Sequence, residues 1–105
     1  AVSPLPFGKW EILHQAGDDL LVLAVGATVA PSLAAALEIE TTFGIKSTVA
    51  NARFIKPMDA DFLKKFIPEA SFLFTVEENA VMGGFGSGVL EQLALLGITP
   101  PKTFL

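Results

Sequence analysis

The six residues Leu20-Leu-Val-Leu-Ala-Val25 are all apolar, and they end at Gly26. No polar residue alternates with them, so neither face of the segment is built for water. A strand buried on both faces belongs to a parallel sheet with helices above and below it. The run is also far shorter than the roughly 20 apolar residues a membrane helix requires. This one segment therefore directs the chain toward the α/β class.

Two further strand–helix units follow the first. After Gly26, Thr28 is the expected N-cap of a helix that tolerates Pro31 in its first turn. Leu33, Ala36, Leu37 and Glu40 share one face, and Gly44 suits the left-handed position that stops the helix. Lys46–Ala52 is the second parallel strand. Asp59 caps the next helix, with Met58 and Leu63 as a hydrophobic staple across it. Phe62, Leu63, Phe66 and Ile67 form its buried face, and Pro68 ends it. Ser71–Glu77 is the third strand, and a glycine-rich turn, Gly83–Gly88, leads into a helix through about Leu96. Upstream, Trp10–Gln15 reads as an extra strand joined to Leu20 by Ala16-Gly17-Asp18-Asp19. A turn that short joins antiparallel strands only. Part of Leu93–Ile98 either ends the third helix or begins a last strand before Pro100-Pro101, and Thr99–Lys102 reads as a domain boundary. Right-handed crossovers then give a mostly parallel sheet of four or five strands, its first strand antiparallel, with helices on both faces.

Composition narrows the function. The chain has 105 residues, the size of one domain. Apolar residues make up 51%, which excludes disorder. Mean hydropathy of +0.57 implies strands buried on both faces or apolar surface that awaits a partner. Cysteine is absent and His14 is the single histidine, so thiolate and multi-histidine metal sites are excluded. The net charge is −4 and Arg53 is the only arginine, so nucleic acid is not an expected partner. The chain does not begin with Met, which reads as a domain cut from a longer protein.

The expected carboxyl ends of the strands gather Asn51, Arg53, Lys56, Glu77, Glu78 and Asn79 along one edge, where open α/β sheets bind ligands. Gly83-Gly84-Phe85-Gly86-Ser87-Gly88 suits two roles there. Its N–H groups either bind an anion at a helix N-terminus or pack closely against another surface. No dinucleotide or Walker motif fits it, since Val89 stands where GxGxxG needs glycine. Glu77 and Glu78 are either an acid–base pair or one acceptor for loop amides beside one outward acid; adjacent strand residues point to opposite faces. One of Glu77 or Glu78 is expected to be substantially buried and to accept backbone N–H bonds from its own loop or from the Gly83–Ser87 turn. Arg53 and Lys56 either clamp an anion or pair with Asp59, Asp61 or Glu77. Gly17-Asp18-Asp19 starts like a thiamine-diphosphate magnesium motif, but Asp19 replaces its glycine and no asparagine follows at residues 40–46. Phe62, Phe66, Phe72, Phe74 and Phe85 follow the period of their elements and are expected to be mostly core.

Asn51-Ala-Arg-Phe-Ile-Lys-Pro-Met-Asp59 and Thr75-Val-Glu-Glu-Asn-Ala-Val-Met-Gly-Gly-Phe-Gly-Ser-Gly-Val-Leu-Glu91 resemble the C-terminal domain of the 1-deoxy-D-xylulose-5-phosphate synthases, a branch of the transketolase family. Phe7–Leu13 and Leu21–Pro31 match as well, so the resemblance covers about residues 5–98. It implies a three-layer α/β/α sandwich with a five-stranded mixed sheet. It implies a parent enzyme that uses thiamine diphosphate and magnesium to join pyruvate to glyceraldehyde 3-phosphate with loss of CO2. It also implies that the cofactor domains lie upstream, outside this chain, so no catalytic, cofactor-binding or metal-binding residue is transferred to it. Asn51, Arg53, Lys56, Glu77, Glu78, Asn79, Gly83, Gly84, Phe85, Gly86 and Ser87 are then expected on a surface toward the upstream domains or a second subunit. The compartment implied is the cytoplasm, or the plastid of a plant or alga. The alternative, from a different class, is a stand-alone anion-binding module that uses Gly83–Gly88.

Overall fold

The computed structural model describes residues 9–52, 58–77 and 84–104. Its elements in chain order are β1 (Glu11–Gln15), β2 (Leu20–Ala24), a 3-10 turn (Gly26–Thr28), α1 (Val29–Phe43), β3 (Ser47–Asn51), α2 (Ala60–Phe66), β4 (Phe72–Val76), α3 (Gly84–Leu96) and β5 (Lys102–Phe104). The five strands form one sheet in the order β1-β3-β2-β4-β5. All neighbours are parallel except β1 and β3.

Handedness explains the layers. From β2 the chain steps to β3 on one side, then crosses back past β2 to β4 and on to β5. Crossovers of one hand that reverse direction must use opposite faces of the sheet. Accordingly, the larger core joins Leu21, Leu23, Ala50 and Leu73 of the sheet to Phe62, Leu63 and Phe66 of α2 and Phe85, Val89 and Leu93 of α3. The smaller core, on the other face, joins Val22 and Val49 to Ala36 of α1. Four of the five residues of β2 are buried, as an uninterrupted apolar run requires.

β1 runs in the direction its short turn demands, but its neighbour is β3. Two strand spacings, about 10 Å, lie within reach of a four-residue link. Residues 16–19 cross the start of β3 and are fastened there. Ala16 N–H donates to Ser47 O, Asp19 N–H donates to Lys46 O, and Asp19 Oδ2 accepts from Lys46 N–H at 2.8 Å. Gly17 is required at this crossing, since a Cβ on it would lie 2.8 Å from Lys46 Cβ.

Two helix ends form as expected. Gly44 closes α1 at φ +71°, and its N–H reaches Glu40 O. Asp59 caps α2 by accepting from Phe62 N–H at 3.0 Å. Four expectations need correction. Thr28 precedes α1 but makes no side-chain cap. Leu37 is 44% exposed because α1 turns Leu33 and Ala36 toward the sheet instead. Phe72 is 40% exposed at the sheet's far side, although Phe62, Phe66 and Phe85 are buried. The fifth strand is present, and it lies after Pro100-Pro101; residues 97–101 link α3 to β5, so the sheet continues past the boundary expected at Thr99–Lys102.

Lys9 ties the incoming chain to the start of α2, with Nζ 2.8 Å from Asp61 Oδ2 and 3.7 Å from Asp59 Oδ1. The hydrogen bond from Lys9 holds the Asp61 carboxyl below its ordinary value, and the bond to Asp61 raises Lys9 above its own. The Asp61 contribution is complete above its unfolded pKa and fades as pH falls through the lower folded value. The Lys9 contribution is complete below its unfolded pKa and fades as pH rises through the higher folded value. Both groups face solvent, so the effect is small and salt-screened. Asp61→Asn is expected to lessen the acid-side loss of stability. Superimposable acid limbs in urea titrations across pH would refute the pairing.

Candidate functional site: the carboxyl edge of the sheet

The crevice between the carboxyl ends of β2 and β4 is where the chain path reverses, and open α/β sheets commonly bind ligands at such a point. Here the chain itself fills it. Val25 N–H donates to Val76 O at 3.0 Å. The Thr28 hydroxyl lies 2.7 Å from Val25 O and 3.0 Å from Val76 O, and it accepts from Val25 N–H at 3.1 Å. The hydroxyl that sequence reasoning assigned to capping α1 thus stitches two strand ends together. Thr28 follows a glycine turn at φ +67°, and that turn folds its side chain back over β2.

Glu77 directly follows β4 and meets the first turn of α3. Phe85 N–H lies 3.2 Å from Oε1 and 3.1 Å from Oε2, and Gly86 N–H lies 3.2 Å from Oε2. The first N–H groups of a helix have no partner within it, and its positive end favours a carboxylate. Glu77 is half-buried, so these bonds offset its partial loss of water. The glycine run is helix from Gly84 onward rather than a loop leading into one. Gly86 is buried, Phe85 is fully buried, and Ser87 is exposed. The two amides that an external anion would use at this helix start already face a carboxylate of the same chain, which weighs against the anion-module reading.

Removing that carboxylate leaves two N–H groups without this acceptor in a half-buried place. Glu77→Ala is expected to cost about 1–3 kcal/mol. A urea midpoint shift equivalent to less than about 0.5 kcal/mol, the range of an ordinary surface change, would refute the capping role.

Of the other candidates at this edge, Asn51 ends β3 and is half-buried beside Ala24 of β2. Arg53, Lys56, Glu78, Asn79 and Gly83 lie outside the described residues. Sequence reasoning missed two contacts. Asp59 Oδ2 also accepts from Trp10 N–H at 2.9 Å, so the cap of α2 holds the segment before β1 as well. His14 Nε2 lies 2.9 Å from Glu40 Oε1, linking β1 to α1. Both pairs are far apart in sequence, and no local pattern announces them. Among the described residues no cluster of three or more His, Cys, Asp or Glu is placed to hold a metal ion. Asp19, in the fragment resembling a magnesium motif, is bonded to Lys46 N–H instead. The carboxylate of that fragment thus serves to fasten the link between β1 and β2 to the start of β3. No described helix is long and apolar enough to cross a membrane.

Residues 8–102 match the family model for the transketolase C-terminal domain. The 1-deoxy-D-xylulose-5-phosphate synthase of Cyanothece sp. is 50% identical over 101 residues, which are 96% of this chain and 16% of that protein. A synthase of the same name, numbered 2, from Geobacter sulfurreducens is 45% identical over 93% of this chain and 16% of its own length. Among solved structures, a split-gene transketolase described as an inactive beta4 tetramer superposes with a TM-score of 0.80 at 30% identity. That match covers 94% of this chain and 31% of the other. The chain spans about one sixth of the length of these synthases, and its mixed sheet, its three helices and its matched residues together make it a member of the transketolase C-terminal domain family.

Proposed function

We propose that this chain is the C-terminal domain of a 1-deoxy-D-xylulose-5-phosphate synthase, and that it supports the fold and pairing of that enzyme rather than its chemistry. The parent reaction would condense pyruvate with glyceraldehyde 3-phosphate with loss of CO2, on thiamine diphosphate and magnesium held by other domains. It would supply precursors for isoprenoid, thiamine and pyridoxal phosphate synthesis, in the cytoplasm or, in a plant or alga, the plastid. The observation that carries this reading is the identity of 45–50% to synthases along nearly the whole chain. The arrangement of Glu77 and Thr28 agrees with it, because each spends its polar atoms on holding the domain together. On this reading Asn51, Arg53, Lys56, Glu77, Glu78, Asn79 and Gly83–Ser87 lie toward the upstream domains or the second subunit. The chain is the one domain, and the cofactor domains belong to the rest of the polypeptide.

The test is a splice. This chain replaces the matching 101 residues of the Cyanothece synthase. The chimera is expected to retain most of the synthase activity, whereas the chain alone, with thiamine diphosphate and magnesium, shows no turnover. A folded but inactive chimera, or turnover by the chain alone, would overturn the proposal.

A further inference from the structure

The two faces of the sheet are not covered equally. On one face α2 and α3 both contribute to the core. On the other, the only helical members of the described core are Leu33 and Ala36 of α1. α1 packs on β3 and β2, so the β4–β5 half of this face has no helix among the described residues. What it presents is apolar. A groove of about 160 Å³ runs beside α1, floored by Leu20, Val22, Phe74 and Val76 and walled by Ala35 and Ile39. The floor continues outward through Phe104, which stacks on Phe74 at 4.8 Å between ring centroids, and Phe72. Phe72 and Phe104 are 40% and 41% exposed.

Width and chemistry indicate what fits. Strands lie about 4.8 Å apart, so β4 and β5 offer a strip about 10 Å wide, the diameter of one helix. Alanine on the α1 wall allows a neighbouring helix to approach closely, and packed helix axes lie about 8–10 Å apart. Two helices already fill the opposite face of the same five strands, and the gap here is one helix short of that arrangement. The relatives contain about six times the length of this chain, so polypeptide to fill it is available in them.

We propose that the groove between α1 and β5 seats one amphipathic helix from the remainder of the same synthase polypeptide, laid beside α1 with its apolar stripe on Val22, Phe74 and Phe104. This rests on the reading that a synthase carries the domain. The helix buries the two exposed phenylalanines and completes the second helical layer, in the manner of a helix laid in an apolar groove.

The experiment uses the same chimera, with the photo-cross-linker p-benzoylphenylalanine in place of Phe72 or Phe104. Mass spectrometry is expected to map cross-links to residues three or four apart within the same polypeptide. Cross-links to this face of a second subunit, to residues without helical spacing, or none in a folded chimera would overturn the seat. Loss of synthase activity with the helical cross-links intact counts against the proposed function and leaves the seat standing. A second measurement does not depend on the chimera. The 105-residue chain is titrated with a designed 18-residue peptide carrying leucine at helical spacing. Amide shifts are expected at Leu20, Val22, Ile39, Phe74 and Val76, with at least tenfold weaker binding to Ile39→Glu. Shifts elsewhere, equal binding by the variant, or a dimer of the chain that Ile39→Glu dissociates would refute the proposal.

Discussion

Phe85→Ala is expected to destabilise the chain by about 3–5 kcal/mol, the usual cost of deleting a buried aromatic ring. Phe85 is fully buried in the first turn of α3. Its ring centroid lies 6.0 Å from that of Trp10 with the planes tilted by 60°. Trp10 lies 5.3 Å from Phe62, which stacks on Phe66 at 4.4 Å. One side chain thus links α3 to the segment before β1 and, through it, to α2. Tilted aromatic pairs add roughly 0.5–1.5 kcal/mol beyond the area they bury. Against a domain stability of about 5–15 kcal/mol, the loss is a large fraction of the total. The backbone N–H that Glu77 accepts is untouched by the change, so Phe85→Leu separates the two roles. It keeps the cap and much of the volume, and it should cost less than half as much as Phe85→Ala. Urea midpoints at constant slope check both variants. A Phe85→Ala loss below about 1 kcal/mol would mean that the ring is not part of a close-packed core.

The sheet was legible in the sequence because its signals are local. The apolar run of β2, the glycine at 44 and the Asp59 cap each act within a few residues, and each lies where its chemistry predicts. The expected link between Glu77 and the glycine run was also within reach, since eight residues separate Glu77 from Phe85. Where the reading failed, the deciding contact was distant. Thr28 leaves its capping role because Val76, 48 residues away, offers a carbonyl beside it. The short turn correctly gives β1 its antiparallel direction but leaves its partner unassigned, because the partner depends on how the turn crosses Lys46 and no periodicity in either strand encodes that crossing. Leu37 and Phe72 follow an apolar pattern, yet both are partly exposed, because a pattern states which face is apolar and not what covers it. The fifth strand was obscured by Pro100-Pro101, which reads as a terminus when it is only the corner before a short edge strand.

Asp59→Ala is the second large effect, about 2–4 kcal/mol, and its size comes from one carboxylate with two duties. Oδ1 accepts from Phe62 N–H at 3.0 Å and caps α2. Loss of such a cap costs about 1 kcal/mol. Oδ2 accepts from Trp10 N–H at 2.9 Å in a buried place. Taking that acceptor away adds a desolvation cost of about 1–3 kcal/mol, because little water reaches a residue that is 5% exposed. Lys9, at 3.7 Å, would also lose one of its two acidic neighbours, though its exposure makes that term minor. The sequence position of Asp59 announces only the cap, so the two duties can be told apart experimentally. Asp59→Asn retains one oxygen acceptor but sets an amide donor against the other N–H, and it should fall between the wild type and alanine. Asp61→Ala, two residues on and exposed, should stay within about 0.5 kcal/mol. If Asp59→Ala costs no more than a solitary cap, the bond to Trp10 contributes nothing. The segment before β1 would then be held by other contacts, among them the packing of Trp10 on Phe62 and Phe85 and the Lys9–Asp61 pair. Hydrogen exchange at the Trp10 amide reads this directly. It should quicken in Asp59→Ala at a denaturant concentration where the amides of β2 stay protected, because the local bond is lost before the sheet opens.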